Sequence, residues 1–103
     1  MTDTRVIGID LGGTKILAGV IDRSGRVESQ VARPTPDDSQ ESVVDALVET
    51  VEELRTEGIA AVGLGVPGRI DPRSGLVFGA VNTRLENIRL GEVMEERLGM
   101  PAR

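Results

Sequence analysis

Along the front of the chain apolar positions recur every second residue, and further on every third or fourth. From Arg5 to Leu11, and again from Lys15 to Ile21, the chain is dense in Val, Ile and Leu. Only "GGT" separates the two runs, which predicts two strands joined as an antiparallel hairpin. "DRSG", Asp22 to Gly25, reads as a second turn. "RVESQVAR" then places Val27, Ser29 and Val31 on one face and Glu28 and Gln30 on the other, the pattern of an edge strand. Two prolines and two acids in "PTPDD" end it.

The next segment changes period. Val43, Val44, Leu47, Val48, Val51 and Leu54 fall at helical spacing with acids between them, which predicts a helix over Asp38–Glu57. Asp38 is placed to cap its start, with Glu41 three residues on, and Gly58 sits where it stops. "IAAVGLGV", Ile59 to Val66, is a continuous apolar run, which suits a strand covered on both faces. "PGRIDPRSG" is turn material. A second short helix is expected from Leu90 to Leu98, with Val93, Met94 and Leu98 inward, ended by Gly99 and Pro101. The order strand, strand, strand, helix, strand, helix makes the first helix a crossover, so the strand at Ile59 lies parallel to one of the first three. The predicted class is α/β: one domain over residues 1–103 on a sheet of mixed direction.

Composition narrows the chemistry. The 103 residues contain no cysteine and no histidine, which removes disulfides, thiolate nucleophiles, the usual zinc clusters and the common neutral-pH proton shuttle. A net charge of −5, with Phe78 the sole aromatic residue, argues against a nucleic-acid surface. Apolar runs fall far short of a membrane span, and "MTDTRV" does not read as an export leader. A cytoplasmic protein is the expectation.

The chemistry concentrates in "DLGGTK". A tight hairpin with two glycines exposes backbone N–H groups that an oxyanion can approach without a Cβ in the way. Thr14 adds a hydroxyl and Lys15 a charge. Asp10 would repel a phosphate unless a cation stood between them, and a carboxylate beside such an anion site is an arrangement that holds Mg²⁺. The competing reading is a hairpin merely closed by glycines, with solvated charges beside it. Two better-known phosphate signatures fail. In "GGTK" the threonine precedes the lysine and a strand follows, unlike the P-loop. "GLGVPG", Gly63 to Gly68, matches G-x-G-x-x-G, but Pro67 and "RIDPRSG" open no helix to meet a pyrophosphate. Gly65, Pro67 and Gly68 at a strand's carboxyl end form either a rigid floor for a ligand or a turn leaving the sheet.

Taken in order, "IGIDLGGTKILAGVID", "GLGVPGRID", "GLV", "AVN" and "LGEVMEERLGMP" resemble the N-terminal region of ROK-family sugar kinases, typified by bacterial glucokinases, over essentially the whole chain. The resemblance implies a ribonuclease H-like sheet (β-β-β-α-β-α) of the actin-like ATPase type, here without its final strand and second lobe. It implies that Asp10, Gly12, Gly13, Thr14 and Lys15 face the phosphates of ATP and their Mg²⁺, with Asp10 toward the metal. Gly65, Val66, Pro67 and Gly68 would line the sugar side, and Asn82 would bond a hexose hydroxyl. The family often carries an aromatic residue shortly after that asparagine, where this chain has Leu85. The family's catalytic Asn-Asp motif would follow "GMPAR", and its histidine–cysteine zinc cluster lies elsewhere, so the chain is read as an N-terminal lobe, inactive by itself. The strand at Ile59–Val66 would then have a bare outer edge. That edge is expected to be covered by a second copy, by strand exchange or by the C-terminal segment. Two other classes compete. One is a non-catalytic binding or self-assembly module; the other is the sugar-sensing lobe of a ROK-type regulator, which needs a helix-turn-helix.

Overall fold

Alternation at the head of the chain becomes a half-buried hairpin. Strand β1 (Arg5–Leu11) buries Ile7, Ile9 and Leu11, and β2 (Lys15–Ile21) buries Ile16, Ala18 and Val20. The two pair antiparallel from Val6↔Ile21 to Leu11↔Ile16, so the period of two brings all six side chains onto one face. β3 (Val27–Pro34) adds antiparallel to the outer side of β2 and is mostly exposed, as an edge strand is. The computed structural model describes residues 4–66, 69–78 and 85–103.

Helix α1 (Gln40–Leu54) covers the buried face with Val43, Leu47 and Val51, none of them accessible to solvent. Its cap is not Asp38 but Ser39, whose extended backbone lets its Oγ accept the Ser42 N–H at 3.0 Å. Asp38 stands one residue further out and accepts from the Ser42 hydroxyl instead. The helix also ends at Leu54, short of Glu57. Leu54 is its last buried residue; Arg55, Thr56 and Glu57 are exposed, so nothing there repays further helical ordering. Arg55 turns away to donate from Nη1 to the Leu98 carbonyl at 3.0 Å.

α1 is the expected crossover. It leads into β4 (Ile59–Gly65), which runs parallel to β1 from Val6↔Ala61 to Asp10↔Gly65 and gives the sheet order β3-β2-β1-β4. β4 is covered on one face only among the described residues. Val62 is buried and Leu64 packs on the core, while Gly63 and Gly65 lie open. Gly19, Gly8 and Gly63 stand side by side across three strands on that open face. They floor a shallow groove of about 580 Å³ rimmed by Val6, Leu17 and Val27.

Of the stretch expected to be turn material, residues 71–75 are a turn, but Arg69–Ile70 before them begins a second sheet. β5 (Arg69–Ile70) pairs antiparallel with β6 (Leu76–Phe78), which pairs antiparallel with β7 (Ile88–Arg89). Strands of two and three residues are too short for alternation to register in a sequence. Asp71 closes the β5–β6 turn by accepting the Arg73 N–H at 2.8 Å. Helix α2 (Leu90–Leu98) buries Leu90, Met94 and Leu98, with Val93 only at the core's margin, and stops at Gly99 in the left-handed region (φ 70°).

The outer edge of β4 is covered by the chain itself, the third of the three expected ways. Val62 N–H donates to Pro101 O at 2.9 Å, Arg103 N–H to Val62 O at 3.0 Å, and Leu64 N–H to Arg103 O at 2.6 Å. Ala102 lies in a parallel bridge to Val62 and is buried. No helix among the described residues is long and apolar enough to cross a membrane.

Candidate phosphate and sugar site

The hairpin tip is shaped by its own backbone. Gly12 N–H donates to Lys15 O at 2.9 Å, closing the turn. A Cβ on Gly12 would stand 3.0 Å from that same oxygen, a tight contact that favours glycine. Thr35, just beyond β3, anchors the tip from behind: its Oγ1 donates to Gly12 O at 2.8 Å and its N–H to Thr14 O at 3.0 Å. Among the described residues no intramolecular acceptor is found for the Gly13 N–H. Thr14 and Lys15 are exposed, as is Asp10. The Gly13 N–H, the Thr14 hydroxyl and the Lys15 ammonium beside one carboxylate suit an anion accompanied by a cation.

Parallel pairing joins this hairpin to the second motif. Because β1 and β4 run the same way, their carboxyl ends form one crest, and Asp10 and Gly65 are register partners there. A Cβ on Gly65 would lie 4.0 Å from the Asp10 Oδ1, so the glycine leaves one flank of the carboxylate clear. Val66 continues past Gly65 and packs against the core. Pro67, Gly68 and Asn82 lie outside the described residues. Leu85 is 1% exposed and belongs to the core, not to a ligand surface.

A ROK-family profile matches residues 6–103. The chain belongs to the ROK family. Glucokinase from Streptomyces coelicolor is 41% identical over 96 residues, covering 92% of this chain and 30% of that protein. N-acetyl-D-glucosamine kinase from Salmonella arizonae is 40% identical over 75 residues, covering 71% of this chain and 25% of that protein. Among solved structures, a ROK-family glucokinase from Streptomyces griseus in complex with glucose and AMPPNP matches with a TM-score of 0.84 and 36% identity, over 95% of this chain and 31% of that one. The chain thus spans about 30% of the length of such curated relatives, and its mixed α/β fold is that of ROK glucokinase structures.

For a ROK chain the carboxylate supply at the crest is sparse. No cluster of three or more metal-ligating side chains occurs among the described residues. Asp10 would therefore share a cation with phosphate oxygens and water, which is how Mg²⁺ is commonly held. A separate cleft of about 480 Å³ opens beyond the end of β4, between the β5–β6 turn and the start of α2, lined by Leu64, Val66, Asp71, Arg73 and Glu92.

Thr35 is the site residue that reading the sequence missed. A signal was present: β3 follows β2 as a simple meander, so its end returns beside the hairpin tip, with Pro34 opposite Lys15. A threonine immediately after that proline falls next to Thr14.

Proposed function

We propose that this ROK chain forms the phosphate- and sugar-facing part of an ATP-dependent hexose kinase. The observation that carries the reading is the Asp10–Gly65 register pair, which sets the "DLGGTK" hairpin and the "GLGV" strand end at one crest. In this reading the tip built by Gly12, Gly13, Thr14 and Lys15 receives the phosphates of ATP, with Gly12 shaping the turn, Gly13 offering its N–H, Thr14 a hydroxyl and Lys15 a point charge. Asp10 holds the accompanying Mg²⁺ directly or through water. Gly65 and Val66, with Pro67, Gly68 and Asn82, face the sugar, for which glucose and N-acetyl-D-glucosamine are the first candidates because relatives carry those names.

Bound Mg²⁺–ATP supplies the transferable γ-phosphoryl group for a sugar hydroxyl. The contribution of these residues is positioning and charge neutralisation, which dominate phosphoryl transfer. The resemblance puts the proton-accepting aspartate in a segment following Arg103, and lack of a general base alone costs about 10²–10⁴ in rate. The 103 residues by themselves are therefore expected to bind without measurable turnover. Self-association through the β4 edge is no part of this reading, because the chain's own residues 101–103 already bond that edge.

The test is an amide chemical-shift titration of the purified chain, first with Mg²⁺–ATP and then with glucose. Shifts centred on Asp10 and Gly12–Lys15 with nucleotide, and on Gly65, Val66, Gly68 and Asn82 with sugar, are expected. Hairpin amides that stay still at saturating Mg²⁺–ATP overturn the phosphate assignment.

A further inference from the structure

Two polar side chains are buried among the described residues, Thr35 and Thr50. Thr50 is accounted for locally, since its hydroxyl donates to Ala46 O one turn back in α1. Thr35 belongs to no helix or strand, yet it spends both of its donors on the hairpin tip. Its hydroxyl takes Gly12 O at 2.8 Å and its N–H takes Thr14 O at 3.0 Å, so the carbonyls on either side of Gly13 are both drawn backward. In a trans peptide the N–H points opposite the C=O. Fixing the Gly12 carbonyl toward Thr35 therefore aims the Gly13 N–H away from it, out of the tip. Pro34 and Pro36 flank Thr35, and a residue between prolines is confined to extended backbone. The anchor is thus itself held stiff.

We propose that Thr35 is a positioning residue that holds the Gly12–Gly13 peptide of the hairpin with its N–H outward, preorganising the tip for an oxyanion. The ligand half of this inference rests on the phosphate reading above; the conformational half does not. Without the Thr35 hydroxyl the Gly12 carbonyl loses its buried donor, and the Gly12–Gly13 peptide is free to rotate.

The test compares Thr35→Val, which keeps the shape and deletes the hydroxyl, with Thr35→Ser, which keeps the hydroxyl, and with Thr35→Ala as a second deletion should the valine variant not fold. In ligand-free protein the Gly13 amide resonance should move in the deletion variants, and hydrogen exchange at the Gly12 N–H, whose bond to Lys15 O closes the same turn, should quicken roughly tenfold, while Thr35→Ser stays near wild type on both. Amides of Gly8 and Gly19 in the central sheet should not change. With Mg²⁺–ATP as the probe, the apparent Kd should rise about tenfold in the deletions and be restored by serine. Unchanged exchange at Gly12 in the deletions overturns the proposal. So does equal loosening of hairpin and sheet, which marks a merely structural role. A wild-type hairpin that ignores Mg²⁺–ATP removes the phosphate reading and the ligand half, while the exchange comparison still decides whether Thr35 sets the tip.

Discussion

Gly91, in the first turn of α2, lies so close to the C-terminal segment that a Cβ built on it would stand 2.9 Å from the Ala102 carbonyl oxygen. The glycine is what lets residues 101–103 lie along β4, and Glu95 helps from the same helix by accepting the Ala102 N–H at 3.1 Å. In Gly91→Ala the higher helix propensity, worth about 1 kcal/mol, opposes this contact with backbone. Because few backbone bonds tie residues 101–103 to β4, the expected result is displacement of the segment and not global unfolding. Hydrogen exchange should accelerate at Val62 and Leu64, whose N–H groups bond Pro101 and Arg103. The melting temperature should move by only a few degrees or less. Unaltered protection at both amides would show that the edge is held by something other than this fit.

Asp10 is exposed on the crest, and among the described residues no hydrogen bond or ion pair holds its side chain. Asp10→Asn is therefore expected to change unfolding free energy by less than about 0.5 kcal/mol. Its effect on Mg²⁺–ATP binding should be larger, roughly tenfold or more, since a neutral amide is a much poorer partner for a divalent cation. Binding of nucleotide without Mg²⁺ should weaken less or even improve, because a charge repelling the phosphates has gone. A uniform loss with and without the metal would place Asp10 in the hairpin's structure and not beside a cation.

The long elements were legible because their periodicity runs over whole strands and turns. Arg5–Leu11 and Lys15–Ile21 carry the alternation at full length, and the switch to helical spacing at Val43–Leu54 forced a crossover and hence a strand parallel to one of the first three, which is β1. Ends were less legible. "DDS" offers adjacent capping side chains at Asp37, Asp38 and Ser39, and only the backbone geometry selects Ser39. The small sheet of β5, β6 and β7 had no signal, because two or three residues establish no period. The hairpin itself was visible in the strands around "DLGGTK", whereas its anchor had only the indirect signal of the β2–β3 meander. Thr35 acts through a register between strands, and a local pattern does not display a register.

Leu85 illustrates the same limit from the opposite side. Its place after "AVN", where the family often has an aromatic residue, suggested a position bearing on sugar contacts. It is instead 1% exposed and part of the core with Ile88, Leu90 and Met94. Leu85→Ala should cost about 2–5 kcal/mol of stability by leaving a cavity. Chemical denaturation measures this directly. Leu85→Met, close in volume, should cost under about 1.5 kcal/mol. A stable alanine variant with altered sugar response would instead restore a role at the ligand.

Among the described residues, the turn between β2 and β3 carries a resolved titration signature. Asp22 Oδ1 accepts the Ser24 hydroxyl at 2.6 Å, the Ser24 N–H at 2.9 Å and the Arg26 N–H at 3.0 Å. These bonds, led by the Ser24 hydroxyl and followed by the Arg26 amide, favour the ionised carboxylate and hold it below the ordinary aspartate range. A carboxyl whose folded value is depressed stabilises the turn fully above its unfolded pKa, near ~3.9, and loses that contribution as pH falls through the lower folded value. A carboxyl-detected titration should therefore show Asp22 protonating at lower pH than aspartate in an unstructured peptide. Ser24→Ala should raise the midpoint toward the peptide value, since it deletes the leading bond while the two backbone amides remain. The Gly25 N–H, which bonds the Asp22 carbonyl at 3.0 Å and not the carboxylate, should keep its protection through the titration of Asp22. A midpoint in Ser24→Ala equal to that of the parent chain would mean that the amides alone set the shift.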